Sequence, residues 1–533
     1  MDKGCTVMGV SRRDFLMRVG QAGGYSAAFA TMQSLGLMPM KAEAASPITA
    51  PAGVGKGVKL VVLGGGIAGL VTAYEARKLG YQVTVLEARH RPGGRNWSAK
   101  NGDVVEFTDG TKQNVTWSEG LYQNMGPARL PSVHGTILGY CRELKVPLEV
   151  QINTSRSSFL QNDKVNDGKP YVQRQAINDT RGHVSELLSK AIKGGALDQD
   201  ITVEDRQRMI AFLRIYGPLD RTNVYKGSDR SAIKQYPGAG PQDMIIDKDP
   251  IPMHTLLDAN FWTGMLYEEA WDWQATMMEP VGGMAQIPYA FAKSLGPIVQ
   301  YNSPVTEIAK TAKGVKVTYT QGGATKTLEA DYMVCAMPLT ILRKIKTDFE
   351  PEHKRVIESA VYRNSYKLAW ESPRFWETDY NIYGGLSFMA QGPNPVWYPS
   401  SNLMSEKGII VSGYQDDSYE DFYKLSMEEK AAKSKAQVEK LHPGHGSKLA
   451  KPIYCGWRQV KWNEGSWIGG IPAKDYDIIT SPDGPIFFAG DHTSHVVGWQ
   501  EGAAGSGRRA IEMLSEKVKH ARLAGAHSET VSA

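Results

Sequence analysis

Lys59-Leu60-Val61-Val62-Leu63-Gly64-Gly65-Gly66-Ile67-Ala68-Gly69-Leu70 runs a short apolar strand straight into a G-x-G-x-x-G turn. From about residue 68 to 79 the pattern is helical, and Gly80 is well placed to end that helix. A second apolar strand, Gln82–Leu86, follows and delivers Glu87. Each residue type answers a physical need. Gly64 permits the tight turn, Gly66 lets a diphosphate approach the backbone, and Gly69 lets helix and strand pack closely. The helix N-terminus around Ala68 offers free N–H groups and the positive end of its dipole to that diphosphate. Glu87 sits where an acid accepts hydrogen bonds from ribose hydroxyls. With strand, turn, helix, strand and terminal acid in register, the stretch predicts a dinucleotide-binding βαβ unit and an α/β fold.

The surrounding composition is that of an ordinary soluble globular protein. At 533 residues the chain has room for two or three domains, with 41% hydrophobic and 22% charged residues. The formal charge of +5 is small for this length and no long Lys/Arg run occurs, so no nucleic-acid partner is expected. Of the four cysteines, Cys5 lies near the start, and Cys141, Cys335 and Cys455 are widely spaced with no C-x-x-C. Free buried thiols are expected, not a disulfide framework. Asp491, His492 and His495 are close in sequence but lack a third-ligand pattern, so no metal is expected. No internal repeat is evident.

Residues 1–45 read differently. Ser11-Arg12-Arg13-Asp14-Phe15-Leu16 precedes a weakly apolar stretch rich in Gly, Ala and Ser, which ends at the small-x-small pattern Ala42-Glu43-Ala44. The stretch, interrupted by Gln21 and Gln33, is a poor match to the about 20 strongly apolar residues of a membrane anchor. It resembles a twin-arginine export signal, which implies the twin-arginine translocation machinery as a partner and a periplasmic or secreted destination. That route carries proteins already folded around their cofactor.

Beyond Glu87, the segment Glu87-Ala88-Arg89 leads to Arg91-Pro92-Gly93-Gly94-Arg95. It resembles the second fingerprint of the flavin amine oxidase superfamily, in which the arginine reaches the diphosphate region of FAD. The resemblance recurs in family order: Glu279-Pro280-Val281-Gly282-Gly283-Met284, then Asn302 to Ile308 with Val305 on the adenine side, then Ile486-Phe487-Phe488-Ala489-Gly490-Asp491. Gly498-Trp499-Gln500-Glu501-Gly502-Ala503 opens a small-residue helix whose N-terminus, in the family, points at the flavin. The implied fold is a Rossmann-like FAD-binding domain (55–120, 276–345 and 445–520) with a mixed-sheet substrate domain (121–165 and 346–444). A helical insert (166–275) and a tail (521–533) complete the amine oxidase, or glutathione reductase-type, fold.

The resemblance assigns FAD to Gly64, Gly66, Ala68, Gly69, Glu87, Ala88, Gly94, Arg95, Gly126, Pro127, Ala128, Arg129, Val305, Gly490, Asp491, Trp499, Gln500 and Ala503. Monoamine oxidases tether their flavin through a cysteine before the final strand. The nearest match here, Glu464-Gly465-Ser466-Trp467-Ile468-Gly469, has none. A non-covalent cofactor is therefore implied.

Asn124-Met125-Gly126-Pro127-Ala128-Arg129-Leu130-Pro131 resembles the L-amino acid oxidase segment whose arginine forks onto the substrate α-carboxylate. A planar guanidinium suits that bidentate task and keeps its charge at any working pH. Trp499 and its neighbour Gly498 align with an aromatic wall beside the flavin, with Trp467 a candidate for the facing wall. The strand end from Val411 to Asp417 resembles one carrying a carboxylate-binding tyrosine, with Tyr414 the candidate and Ser412 at an alternative alignment. Lys367, in Ser365-Tyr366-Lys367-Leu368-Ala369-Trp370, resembles the lysine that holds a water against flavin N5. The stretch between about 150 and 270 is expected to shape the entrance, with a helix over 202–215 and a long loop from 218 to 252. It carries no readable chemistry.

Together these imply an FAD-dependent L-amino acid oxidase, with a small-molecule amino acid substrate and molecular oxygen as partners. The alternatives are an oxidase of carboxylate-free amines, an amino acid 2-monooxygenase giving an amide, and an exported FAD-binding protein without amine chemistry. The sequence is compatible with a homo-oligomer and does not fix one.

Overall fold

A computed structural model of the chain describes residues 48–415 and 422–531, with side chains to 524. The twin-arginine segment, Cys5, Asp416 and Asp417 lie outside the described residues.

The opening strand β1 (Lys59–Leu63), helix α1 (Ile67–Lys78) and strand β2 (Gln82–Leu86) form the expected βαβ unit. Strand β1 is apolar because it is central and, beyond Lys59, buried: β2 pairs with it in parallel on one side and Tyr332–Cys335 on the other. Val299–Gln300 beyond β2 and Ile486–Phe488 beyond Tyr332–Cys335 complete a five-stranded, all-parallel sheet. In chain order of its strands the sheet reads 3-2-1-4-5, the doubly wound arrangement that leaves a ligand crevice at the strands' carboxyl ends.

Gly69 shows why the fingerprint needs glycine. A Cβ there would lie 2.0 Å from the Gly64 carbonyl oxygen, so any side chain would push α1 off β1. The opposite side of α1 meets the C-terminal helix at Gly507, where a Cβ would fall 2.5 Å from the Ala68 carbonyl oxygen.

A seven-stranded mixed sheet forms the second layer. Its strands run in the order Tyr171–Val172, Phe159–Gln161, Gly385–Met389, Val396–Tyr398, Lys407–Gln415, Tyr366–Pro373, Ala450–Gly456. Lys367 is central, with Tyr414 opposite it on one neighbour and Cys455 on the other. Trp370, Trp376 and Tyr398 belong to the largest buried cluster, which packs around this sheet. Cys141, Cys335 and Cys455 are free and buried.

The sheet departs from the expected segmentation in two places. Ala450–Gly456 is its edge strand, although 445–520 was assigned wholly to the nucleotide-binding unit, and Tyr171–Val172 forms the opposite edge from within the insert. Pairing with Tyr366–Pro373, a long-range contact, decides the place of Ala450–Gly456.

The insert carries helices α2 (Gln173–Lys193) and α3 (Val203–Tyr216). Thr202 caps α3 by accepting from the Asp205 N–H. The loop after α3 contains a short strand pair, Ile233–Gln235 with Ile246–Asp247. At the other end of the chain, helix α4 runs from Gln500 to Val531, through the segment expected as a tail. Among the described residues, no helix is long and apolar enough to cross a membrane.

Candidate active site

A cavity of about 420 Å³ runs from the crevice above the parallel sheet to the mixed sheet. Its volume falls in the ordinary range for small-molecule and cofactor sites. One end is lined by Gly64, Gly66, Ala68, Glu87, Ala88, Ser303 and Val305, and the far end by Arg129, Trp273, Trp397, Tyr414 and Lys367. Gly94, Arg95, Gly126, Pro127, Ala128, Trp467, Gly490, Asp491, Gly498, Trp499, Gln500 and Ala503 also line it. Of the residues assigned to the cofactor from the sequence, Gly69 stands behind the wall, packed on Gly64. Among the described residues, no cysteine lines the cavity.

The nucleotide end is held by backbone contacts to one acid. Glu87 accepts from the Gly65 N–H at 2.7 Å and from the Arg89 N–H at 2.8 Å. Gly93 donates to the Gly65 carbonyl at 2.7 Å, which docks the Gly93-Gly94-Arg95 turn onto the first glycine turn. A Cβ on Gly66 would meet nothing within 4 Å, so this position opens onto free space at the N-terminus of α1.

Arg95 and Asp491, expected to reach different parts of the cofactor, are bound to each other at 2.5 Å. Burial raises the Asp491 carboxyl, but Arg95 beside it outweighs this and holds it below its usual range. His492 is buried, its ring pushed down to about 4 by burial, and its Nε2 has no partner. An orphan imidazole nitrogen on the cavity wall, the open Gly66 and the Glu87-braced turn fit a flavin nucleotide.

At the far end, three successive carbonyls of the Asn124–Gly126 turn are each tied down. Lys367 Nζ donates to the Asn124 and Gly126 oxygens at 2.5 and 2.7 Å, and Trp457 Nε1 donates to Met125 at 3.1 Å. Asn124 Nδ2 in turn donates to Glu279 at 3.2 Å. Burial, then repulsion from Arg129, pushes the Lys367 ammonium down to about 7. Burial, then nearby Glu149, pushes the Glu279 carboxyl up to about 8. Both are fully enclosed, at 2% and 6% exposure.

Arg129 leaves this braced turn with its guanidinium buried at 4% exposure. Its centre stands 4.1 Å from the Trp397 ring and 4.8 Å from Trp273. Its Nη1 donates to Tyr267 Oη at 2.9 Å, whereas Nε and Nη2 have no partner among the described residues. A buried charge with two idle donors costs several kcal/mol if left so, and asks for an anion. Trp499 lies edge-on to Trp273 at 5.5 Å and to His134 at 4.9 Å. A Cβ on Gly498 would touch the Trp467 ring at 3.5 Å. Ser412 faces away, donating to the Ser434 carbonyl at 2.8 Å, while Tyr414 lines the cavity.

Three wall residues, Trp397, Trp457 and Trp273, are not singled out by the sequence, nor is Tyr267, which bonds Arg129; Tyr267 and Trp273 come from the end of the insert. Tyr267-Glu268-Glu269-Ala270-Trp271-Asp272-Trp273 packs three aromatics into seven residues of an otherwise polar stretch, and that density was the available clue. The sequence offers His492 only as a metal-ligand candidate. Its neighbour His495 instead stacks on Tyr476 at 4.2 Å.

Residues 67–512 match the family model of flavin containing amine oxidoreductase. An L-amino-acid oxidase of Protobothrops flavoviridis is 27% identical over 85% of this chain and 87% of its own length. One from Pseudechis australis is 27% identical over 87% of this chain and 89% of its own. Among solved structures, a putrescine oxidase bound to putrescine aligns with a TM-score of 0.56 at 17% identity, covering 86% of this chain and 98% of its own. The cyclohexylamine oxidase of Brevibacterium oxydans IH-35A aligns with a TM-score of 0.56 at 16% identity, covering 87% and 99%. These two establish the shared fold.

Proposed function

Because this chain belongs to the flavin containing amine oxidoreductase family, we propose that it is an L-amino acid oxidase with non-covalent FAD. The reaction converts an L-amino acid to a 2-oxo acid, with release of ammonia and hydrogen peroxide. The observation that carries the substrate class is Arg129: a buried guanidinium, braced by the Asn124–Gly126 turn, whose Nε and Nη2 lack partners. A carboxylate-free amine would leave that charge unpaired in a closed pocket, whereas an α-carboxylate satisfies it with a forked, charge-assisted pair.

A bound flavin would supply the two-electron acceptor for the substrate Cα–H, with oxygen as the final oxidant. The chain's own part is orientation and exclusion of water. Arg129 fixes the carboxylate, and Trp499, with Trp467 against Gly498, narrows the space for the amine. Holding Cα in one place converts lost freedom into rate, an effect worth up to about 7–11 kcal/mol in well-oriented systems. Lys367 spends two N–H bonds on the turn carbonyls and has one position left to order a water. Gly66, Glu87, Arg95 with Asp491, and His492 are the residues that would hold FAD. No cysteine among the described residues lines the cavity to tether it. The paired arginines at Arg12-Arg13 support export by the twin-arginine route to the periplasm or medium.

The test is anaerobic bleaching of the holoenzyme by the common L-amino acids and, in parallel, by their decarboxylated amines. Bleaching by amino acids, with matched amines slower by orders of magnitude, is expected. The reverse preference would make the protein an amine oxidase, and an amide product under air would make it a monooxygenase.

A further inference from the structure

The guanidinium of an arginine has a side-on fork, Nε with Nη2, and a remaining nitrogen, Nη1, outside it. In this chain Nη1 is the nitrogen already engaged, by Tyr267 Oη at 2.9 Å, and the two unpartnered nitrogens are Nε and Nη2. The idle donors are thus the pair that matches a carboxylate bidentately. Tyr267 belongs to the insert and lies 138 residues from Arg129 in sequence. It is fixed from two sides, tilted against Phe388 at 4.9 Å and edge-on to Trp273 at 4.8 Å. Trp273 itself lies over the Arg129 guanidinium.

We propose that Tyr267 is a positioning residue that engages Arg129 Nη1 and so presents the Nε/Nη2 edge to the substrate α-carboxylate. The insert then reaches beyond the entrance and sets the orientation of the anion site. This rests on the reading of Arg129 as the carboxylate anchor. Three features make the hydroxyl, and not the ring alone, the operative group. Its oxygen is the acceptor for Nη1, so a phenylalanine would leave three idle nitrogens where there were two. The guanidinium would then be free to turn its end-on edge, Nη1 with Nη2, toward the same anion. Burial also pushes the phenol up to about 12, which keeps its proton on at working pH and available to a second oxygen.

The experiment compares FAD-loaded wild type and Tyr267→Phe on three compounds. These are the best substrate among the common L-amino acids, its decarboxylated amine, and its desamino carboxylate as a non-reacting probe of the anion site. In Tyr267→Phe the amino acid KM and the Kd of the desamino carboxylate should each rise about tenfold, the size of one charge-assisted hydrogen bond. The kcat for the amino acid and kcat/KM for the amine should stay within about twofold. Melting temperature and FAD content, measured in parallel, separate this from loss of fold. An unchanged Kd for the desamino carboxylate in Tyr267→Phe, or an equal loss on the amine, overturns the role of Tyr267 while leaving Arg129 in place. A wild-type enzyme that neither oxidises any amino acid nor binds the desamino carboxylate overturns the anchor and this inference together.

Discussion

The ammonium of Lys367 and the carbonyl oxygen of Gly126 meet at 2.7 Å across 241 residues of sequence. The lysine expected to serve the flavin therefore also fastens the turn from which Arg129 departs. With its ammonium pushed down to about 7, its charge is present below that pH and lost above it. If the charge assists oxygen reduction, reoxidation of the free reduced enzyme should slow as pH rises through about 7. A bound carboxylate would cancel the repulsion from Arg129 and move the inflection upward. In Lys367→Met, stopped-flow traces should show reoxidation about 10–100-fold slower with no inflection, and reduction less affected. Equal losses in both half-reactions would reduce Lys367 to its fastening role.

Arg129→Ala removes the proposed anchor. Stranding a buried charge costs about 3–5 kcal/mol, so kcat/KM for an L-amino acid should fall by roughly two to three orders of magnitude. The decarboxylated amine has nothing to pair with the guanidinium, and its poor rate should change little. Steady-state rates on both compounds, with FAD quantified, check this. A variant that keeps the amino acid preference would move the carboxylate site elsewhere.

Glu279 binds its proton more tightly in the folded protein, where burial and then Glu149 push its carboxyl up to about 8. The folded state therefore holds more protons than the unfolded chain between about pH 4.5 and 8, and this contribution to stability falls as pH rises through that window. Between pH 5 and 7 the opposing effect of Lys367 is small, since that group is largely protonated in both states. Glu279→Gln should thus gain on the wild type as pH increases, by a few kcal/mol at most. Melting curves at several pH values measure it, and a pH-independent difference would mean that Glu279 acts only through its hydrogen bond to Asn124.

With no cysteine on the cavity wall among the described residues, acid precipitation should leave FAD in the supernatant. Colour that stays with the pellet would reveal a covalent attachment through another side chain.

Replacing Arg12 and Arg13 by Lys should trap a folded, flavin-loaded precursor in the cytoplasm. Undiminished export of the double variant would remove the twin-arginine assignment.

The nucleotide end of the cavity was legible because its chemistry is local. Gly64, Gly66 and Glu87 lie within one strand–turn–helix–strand unit, and the constraint on each acts over a few residues. The far end was legible only where a motif resembled a known family, as at Arg129 and Lys367. Its aromatic walls come from residues 267–273 and from the strand Val396–Tyr398, which only the tertiary fold brings together around one guanidinium. Residues 450–456 show the same limit. Nothing in Ala450–Gly456 itself says which sheet it joins, and pairing with Tyr366–Pro373 decides it.

The fit of α1 against α4 carries a consequence for how the molecule is made. The cavity takes one wall from Gly64 and Gly66, among the first described residues to be synthesised, and closes with Trp499, Gln500 and Ala503. The Gly507 contact then packs α4 against α1. Until Trp499, Gln500 and Ala503 are in place, the glycine turn has no opposite wall, so a flavin nucleotide would be enclosed only once these two distant stretches have folded together. A newly made molecule sent out through an unfolded-chain channel would lose its chance at cytoplasmic flavin, whereas a route that waits for the finished fold would carry the cofactor along.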